Sequence, residues 1–321
     1  MNTFPLPDAG APRVAASLSL DTLRERASRL GPLRTAVVHP CDALSLAAAL
    51  DARAAGLIEP VLVAPRARLQ ALAEAQGLAL AGLAIEEVPH SHAAAARAAE
   101  LAGRGEVAAL MKGSLHTDEF MRAVLAPQAG LRTERRLSHC FLMQTPSYPR
   151  LFIITDAAIN VAPGLLEKAD IVRNAIALAQ AIGVAQPRVA ILAAVETVNP
   201  AMPATLDAAA LCKMADRGQI VGGVLDGPLA LDNAVSPEAA RTKGIVSPVA
   251  GRADVLVVPD LESGNLLAKQ LEYLGGAASA GVVLGARVPI VLTSRADSRA
   301  TRLASCAVAR LLAAAPPGGR A

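Results

Sequence analysis

Four stretches of the chain place glycine, hydroxyl or charged residues where a β-branched run gives way to a helical pattern. Open parallel sheets bind ligands at such positions, beyond the carboxyl ends of strands, because the following helix N-termini attract anions. The first stretch runs from Val107 to Met111 into Lys112-Gly113-Ser114-Leu115-His116-Thr117 and on through Arg122. Gly113 permits close backbone approach, Lys112 supplies a point charge and Thr117 is placed to cap the helix, so an anion fits. The competing reading is an ordinary turn with a solvated lysine. The second, Pro289 to Thr293, leads into Ser294-Arg295-Ala296-Asp297-Ser298. A hydroxyl beside a guanidinium can donate to one oxyanion and one phosphate; the plainer alternative is an N-cap at Asp297 or Ser298 with Arg295 exposed. In the third, Asp260 and Asn265 flank Gly264 after Val255 to Val258, where backbone N–H groups could face a ligand, but a capped turn explains this better than a ligand does. The fourth pairs Asp226 with Asp232 around Asp226-Gly227-Pro228, which turn chemistry accounts for by itself.

Other chemistries lack their signatures. No G-x-G-x-x-G follows the first strand pattern, and neither G-x-x-x-x-G-K-[ST] nor G-x-S-x-G occurs. Cys41, Cys140, Cys212 and Cys306 are scattered without a C-x-x-C pair or a histidine at ligand spacing, so no metal site and no disulfide framework is expected. His90 and His92 border a helix start and read as solvated, while His39 and His139 adjoin strands and read as structural. The net charge of +3 is dispersed and aromatic residues make up 2% with no tryptophan, which argues against nucleic-acid binding and suits a small anionic ligand.

At 53% hydrophobic and 18% charged, the 321 residues are expected to fold over most of their length. The most apolar segments, 174–187 and 273–286, are broken by Gly or Pro and closely flanked by charge. No membrane span is expected from them. Met1 to Arg13 lacks a secretory pattern, which points to the cytoplasm. Strands are predicted at 35–38, 61–64, 84–88 and 107–111, with helices at 42–55, 66–76 and 92–102 between them. That alternation predicts right-handed crossovers and a parallel sheet. A Gly- and charge-containing loop at 127–138 is the candidate domain boundary. Beyond it come a hairpin at 140–143 and 151–155, a long helix at 164–181, strands at 189–193, 220–224, 255–258, 281–284 and 289–292, and a last helix at 297–313.

Taken together, these segments resemble the phosphotransacylase family of phosphate acetyltransferases and phosphate butyryltransferases, from about Thr35 to Val308. Ser247-Pro-Val-Ala-Gly-Arg252 followed by Pro259-Asp-Leu-Glu-Ser-Gly-Asn265 is similar to the family's S-P-V-A-G-[KR] and P-D-L-x-x-G-N blocks. Asp226-Gly227-Pro228-Leu229, Lys112-Gly113 with His116-Thr117 and Arg122, and Ser294-Arg295 recur in the same order. Ile154 to Pro163 and Ser294 to Ser298 look closer to the butyryl-type branch.

The resemblance implies an α/β protein of two domains with mainly parallel sheets flanked by helices, in the isocitrate/isopropylmalate dehydrogenase-like architecture. Residues 1–138 with 298–321 would form one domain and 139–297 the other, with the active site in the cleft between them. It further implies reversible transfer of a short acyl group between CoA and inorganic phosphate. No metal or tightly bound cofactor would take part, coenzyme A would be a substrate, and the partner would be a second copy in a homodimer. By the same resemblance Ser294 would stabilise the carbonyl oxyanion, Arg295 would hold phosphate, and Arg122 would bind an anion. Lys112, Gly113, His116, Thr117, Asp226, Gly264, Asn265 and Asp297 would line the substrates. The carboxylate that acetyl-type members carry seven positions after the serine is Thr301 here, which leaves Asp297 as the nearby alternative, either base or plain cap. The competing classes are a dehydrogenase of this architecture, which would need a metal-binding aspartate cluster that Asp226, Asp232 and Asp260 do not supply, and a catalytically silent binder of CoA or acyl phosphate.

Overall fold

The computed structural model describes residues 18–294 and 296–315; Arg295 and both terminal segments lie outside the described residues. The chain enters through α1 (Leu20–Arg29) and then alternates β1 (Leu33–Val38), α2 (Ala43–Ala54), β2 (Ile58–Ala64), α3 (Arg66–Gln76), β3 (Ala84–Glu87), α4 (Ser91–Gly103), β4 (Ala109–Lys112) and α5 (Thr117–Val124). β1 buries every residue except Arg34, as expected of a parallel strand covered on both faces. β5 (Ser138–Gln144) and β6 (Phe152–Thr155) form the predicted antiparallel pair, followed by α6 (Leu165–Ile182), β7 (Arg188–Leu192) and α7 (Pro203–Asp216). The remainder is β8 (Val224–Leu229), α8 (Leu231–Val235), α9 (Pro237–Thr242), β9 (Val255–Val257), α10 (Leu261–Tyr273), β10 (Ala278–Leu284), β11 (Ile290–Val291) and α11 (Arg299–Ala314). Among the described residues no helix is long and apolar enough to cross a membrane.

One predicted strand is displaced. The expected 220–224 segment is not a strand, because Gly222 turns the chain at φ +89° and Gly223 packs against Ile176. Pairing begins at Val224 and runs through Asp226-Gly227-Pro228, the residues that read as a turn. β8 is the outermost strand and pairs with β7 alone, so Pro228 can lack an N–H there.

The eleven strands form one sheet in the order β3-β2-β1-β4-β11-β10-β5-β6-β9-β7-β8. The five from β3 to β11 run in one direction and the four from β6 to β8 in the other, with antiparallel β10 and β5 between the two sets. The fold is therefore mixed α/β with a large, mostly parallel sheet flanked by helices. The reversal separates the carboxyl ends of the two sets of strands to opposite rims of the sheet.

The two faces are packed differently. One is covered by a single apolar cluster reaching from α1, α2 and α3 through α11 to α6 and α7. The other carries two clusters, one under α4 and α5 and one under α8 and α10. Side chains alternate across a strand, so the floor between those two clusters is made by His139 of β5 and Ser279 and Gly281 of β10. A groove thus lies over the central strands, walled by α5 on one side and α10 on the other.

Candidate functional site

At one end of this groove the chain leaves β11 and enters α11. Ser294 is exposed, and its backbone N–H donates to Asp297 Oδ2 at 2.7 Å. Ser298 rather than Asp297 caps α11, accepting from the Thr301 N–H at 3.1 Å, so the cap reading of Asp297 is corrected. The Asp297 side chain folds back instead and is only 8% exposed, with Lys269 Nζ 3.9 Å from Oδ1. Burial pushes its carboxyl above the usual range, opposed by the Ser294 N–H and by Lys269. Thr301 offers only a hydroxyl, 3.1 Å from that of Ser298. Arg295 lies outside the described residues.

Glu272 was not singled out by sequence, although its charge three residues after Lys269 on the sheet-facing side of a helix was a legible signal. The Lys269 ammonium reaches Glu272 at 2.7 Å and lies 5.7 Å from the centre of the Phe141 ring. Burial works against its charge, but Glu272 and then Asp297 outweigh this and hold it above the ordinary lysine range. Glu272 also accepts from Ser279 Oγ at 2.5 Å, which ties α10 to the groove floor. Beside it His139 is buried to 1%, its Nδ1 without a partner among the described residues. Burial pushes this imidazole down to about 3, so it is neutral at physiological pH.

The neighbouring β4–α5 loop leaves the same rim, since Met111 of β4 pairs with Val291 of β11. Gly113 makes its close approach to protein: a Cβ there would stand 2.4 Å from the Val38 carbonyl oxygen. Ser114 Oγ donates to the His39 carbonyl at 2.8 Å and accepts from the Cys41 N–H at 3.1 Å, which latches the two loops together. His116, not Thr117, is the N-cap of α5 and makes no side-chain cap bond, so the predicted Thr117 cap is corrected. Lys112 is half-buried at the strand end, and Arg122 lies on the exposed side of α5 with Asp118 3.8 Å away.

The remaining predicted residues stand elsewhere. Asp260 caps α10, accepting from the Ser263 N–H at 2.8 Å. A Cβ on Gly264 would meet Val258 Cγ2 at 2.6 Å, and Asn265 Nδ2 donates to the Ala157 carbonyl at 3.1 Å. This block therefore seats α10 on the loop after β6, at the rim opposite Ser294. In that loop Asp156 is 3% exposed and collects the N–H groups of Ala158, Ile159 and Asn160. Asp226 sits in β8, six strand spacings from β11 and so roughly 30 Å across the sheet, too far to share a site with Ser294. Among the described residues no three His, Cys, Asp or Glu side chains come together to hold a metal ion.

Along α5 and toward the opposite rim lies a cavity of about 920 Å³ bordered by Thr117 and Met121 of α5, Leu261 of α10, Leu137, Gly285 and the arginines at 132, 135 and 136. Cavities of this size take small ligands, and the other rim carries the exposed Ser294, whose Oγ accepts from the Ala296 N–H at 3.3 Å, beside Asp297 and the partly exposed Lys269. That arrangement is an α/β site with groups able to position and neutralise anions.

Phosphate acetyl/butaryl transferase is the family whose description matches residues 90–310, and the chain belongs to that family; it is an acyltransferase. The chain is 61% identical to a phosphate acetyltransferase of Rhizobium meliloti over 92% of its own length and 93% of that protein's. It is 43% identical to a phosphate butyryltransferase of Clostridium acetobutylicum, over 87% of this chain and 93% of the other. Its fold matches the crystal structure of a branched-chain phosphotransacylase from Enterococcus faecalis V583 with a TM-score of 0.76 at 28% identity, covering 88% of this chain and 99% of that one.

Proposed function

We propose that this chain catalyses the reversible reaction of a short acyl-CoA, acetyl to butyryl, with inorganic phosphate to give acyl phosphate and CoA, and that the groove is its site. The carrying observation is the 61% identity to the R. meliloti phosphate acetyltransferase over nearly the whole chain, which also makes acetyl the first acyl group to test. A phosphate oxygen attacks the thioester carbonyl carbon, the tetrahedral oxyanion is stabilised by the Ser294 hydroxyl, and the C–S bond breaks to release the thiolate, which takes up a proton. Phosphate is itself a competent nucleophile, so no acyl-enzyme is required. The cysteines agree with this: burial pushes the Cys140, Cys212 and Cys306 thiols up to about 12, which leaves little nucleophilic thiolate.

In this reading Arg295 and Arg122 hold phosphate and Lys112, His116 and Thr117 border it. Asp297 acts as a positioning residue that accepts the Ser294 N–H and is itself steadied by Lys269. Gly264 and Asn265 act at one remove by seating α10. The two walls of the groove correspond to two domains of isocitrate/isopropylmalate dehydrogenase type, which the split core under α5 and α10 supports. A homodimer of cytoplasmic location fits the open edge at β8, near the exposed Val198, Leu206 and Val221.

Thiol release from acetyl-, propionyl- and butyryl-CoA, with and without phosphate, tests the function. Release that requires phosphate and survives chelation of divalent metal is expected. Equal release without phosphate overturns it.

A further inference from the structure

Five arginines gather at the end of the groove away from Ser294, and four of them are engaged. Arg132 donates to the Leu125 carbonyl, Arg136 pairs with Glu167 and Asn160, Arg173 with Asp170, and Arg287 donates to the Gly130 carbonyl. Arg135 is the exception. Its guanidinium makes no hydrogen bond or ion pair among the described residues, although it is half-buried and its charge is disfavoured by burial and then by Arg173, with Asp170 acting favourably. A half-buried guanidinium with no partner among the described residues leaves its donors available to an anion in the adjoining cavities.

Two cavities meet at this side chain. The 920 Å³ groove cavity lies on one side. On the other is a cavity of about 370 Å³ with apolar walls from Leu284, Val288, Leu312 and Ala177, and Thr133, Arg135 and Gly285 border both. The site therefore suits a ligand with an anionic group beside a flat apolar one. Its separation from the chemistry is also defined. Ser279, bonded to Glu272 at the Ser294 end, and Gly285 at the Arg135 end are six residues apart along β10, roughly 20 Å.

We propose that Arg135 binds the phosphates of the nucleotide end of CoA, with the adenine entering the smaller cavity, while the thioester lies at Ser294. The proposal rests on the acyl-CoA reading above and deepens it. CoA carries its thiol and its phosphorylated adenosine at opposite ends of a long flexible arm, which matches a groove with its reactive and anion-holding ends far apart. A guanidinium fork is the group suited to a phosphate next to a base, since its plane can also lie against the ring.

The test uses adenosine 3′,5′-diphosphate, which has the nucleotide end without the thioester, together with Arg135→Gln. Calorimetric titration of the wild-type protein should show binding, in competition with acetyl-CoA. Arg135→Gln should weaken both the nucleotide and the acetyl-CoA KM by about tenfold, the loss expected of one charge-assisted contact, with kcat and the phosphate KM within twofold of wild type. The variant should melt at the wild-type temperature, because the guanidinium bonds to no described protein group. Failure of the nucleotide to bind, equal binding by both proteins, or a raised phosphate KM overturns the proposal. Nucleotide binding that depends on Arg135 in a protein lacking phosphate-dependent transfer would uphold this site and sink the reaction instead.

Discussion

The two ends of the groove are built on opposite principles. At the Ser294 end the charged side chains satisfy one another: Asp297 holds the Ser294 N–H, Lys269 faces both Asp297 and Glu272, and Glu272 grips Ser279 on the floor. At the other end the Arg135 side chain has no partner among the described residues, although four neighbouring arginines have one. A group that must stabilise a fleeting oxyanion gains from being held rigidly beforehand, because reorganising it during the reaction would cost rate. A group that holds a stable anion is more useful left open, because the ligand itself supplies the missing partner. On the proposed reading, the difference separates where chemistry would be done from where substrate would be held.

That contrast can be broken most directly at Ser294. Ser294→Ala should lower kcat by about 10²–10³, the range for loss of one oxyanion donor, with the acetyl-CoA KM little changed. A rate within twofold of wild type would remove the hydroxyl from the chemistry. The next largest effect is expected midway, on the floor the two ends share. A Cβ on Gly281 would lie 3.0 Å from both His139 Nε2 and the Leu292 carbonyl oxygen. Gly281→Ala should therefore destabilise the protein by about 1–3 kcal/mol, as overpacking does, and thermal melting would show it. An unchanged melting temperature would mean that the floor is looser than its distances indicate.

Asp297 sharpens the comparison. Asp297→Ala strands the Ser294 N–H and should lower kcat about tenfold, whereas Asp297→Asn keeps an acceptor and should recover most of that loss. If Asn is as poor as Ala, with a loss nearer the 10²–10⁴ of general-base catalysis, the carboxylate is the base toward the CoA thiol rather than a positioning group. The smallest effect concerns His139, whose folded-state value is pushed down to about 3 from 6.5 by burial. Between those values the unfolded chain binds the extra proton, so stability is complete above about 6.5 and is lost as the pH falls toward 3. The melting temperature of wild type should decline over that window, and His139→Gln should flatten the decline. Identical slopes would assign the acid sensitivity to other groups.

Much of this protein was legible in its residues taken in order. The alternation of β-branched runs with Ala/Leu-rich helical patterns located every strand but β8, because burial on both faces leaves continuous apolar runs that survive without tertiary context, but it did not predict helices α1, α7, α8 and α9. The motif blocks carried the family and the expected reaction, and by resemblance they put Ser294 forward for the site. What the chain order could not convey is direction and distance across a sheet. Asp226, Gly264 and Asn265 look like site residues because their blocks are distinctive. The reversal of strand direction between β11 and β6 nevertheless puts them across the sheet or at the opposite rim, where Gly264 and Asn265 do packing work. Asp297 and Ser298 are interchangeable as caps by type, and only the fold of the loop, with Lys269 arriving from α10, decided that Ser298 caps while Asp297 turns inward. Lys269 lies 25 positions before Ser294 and Arg135 lies 159 before it. Their relation to Ser294 comes from strand order and from which cluster each helix covers, and those long-range pairings leave no local periodicity in the sequence to read.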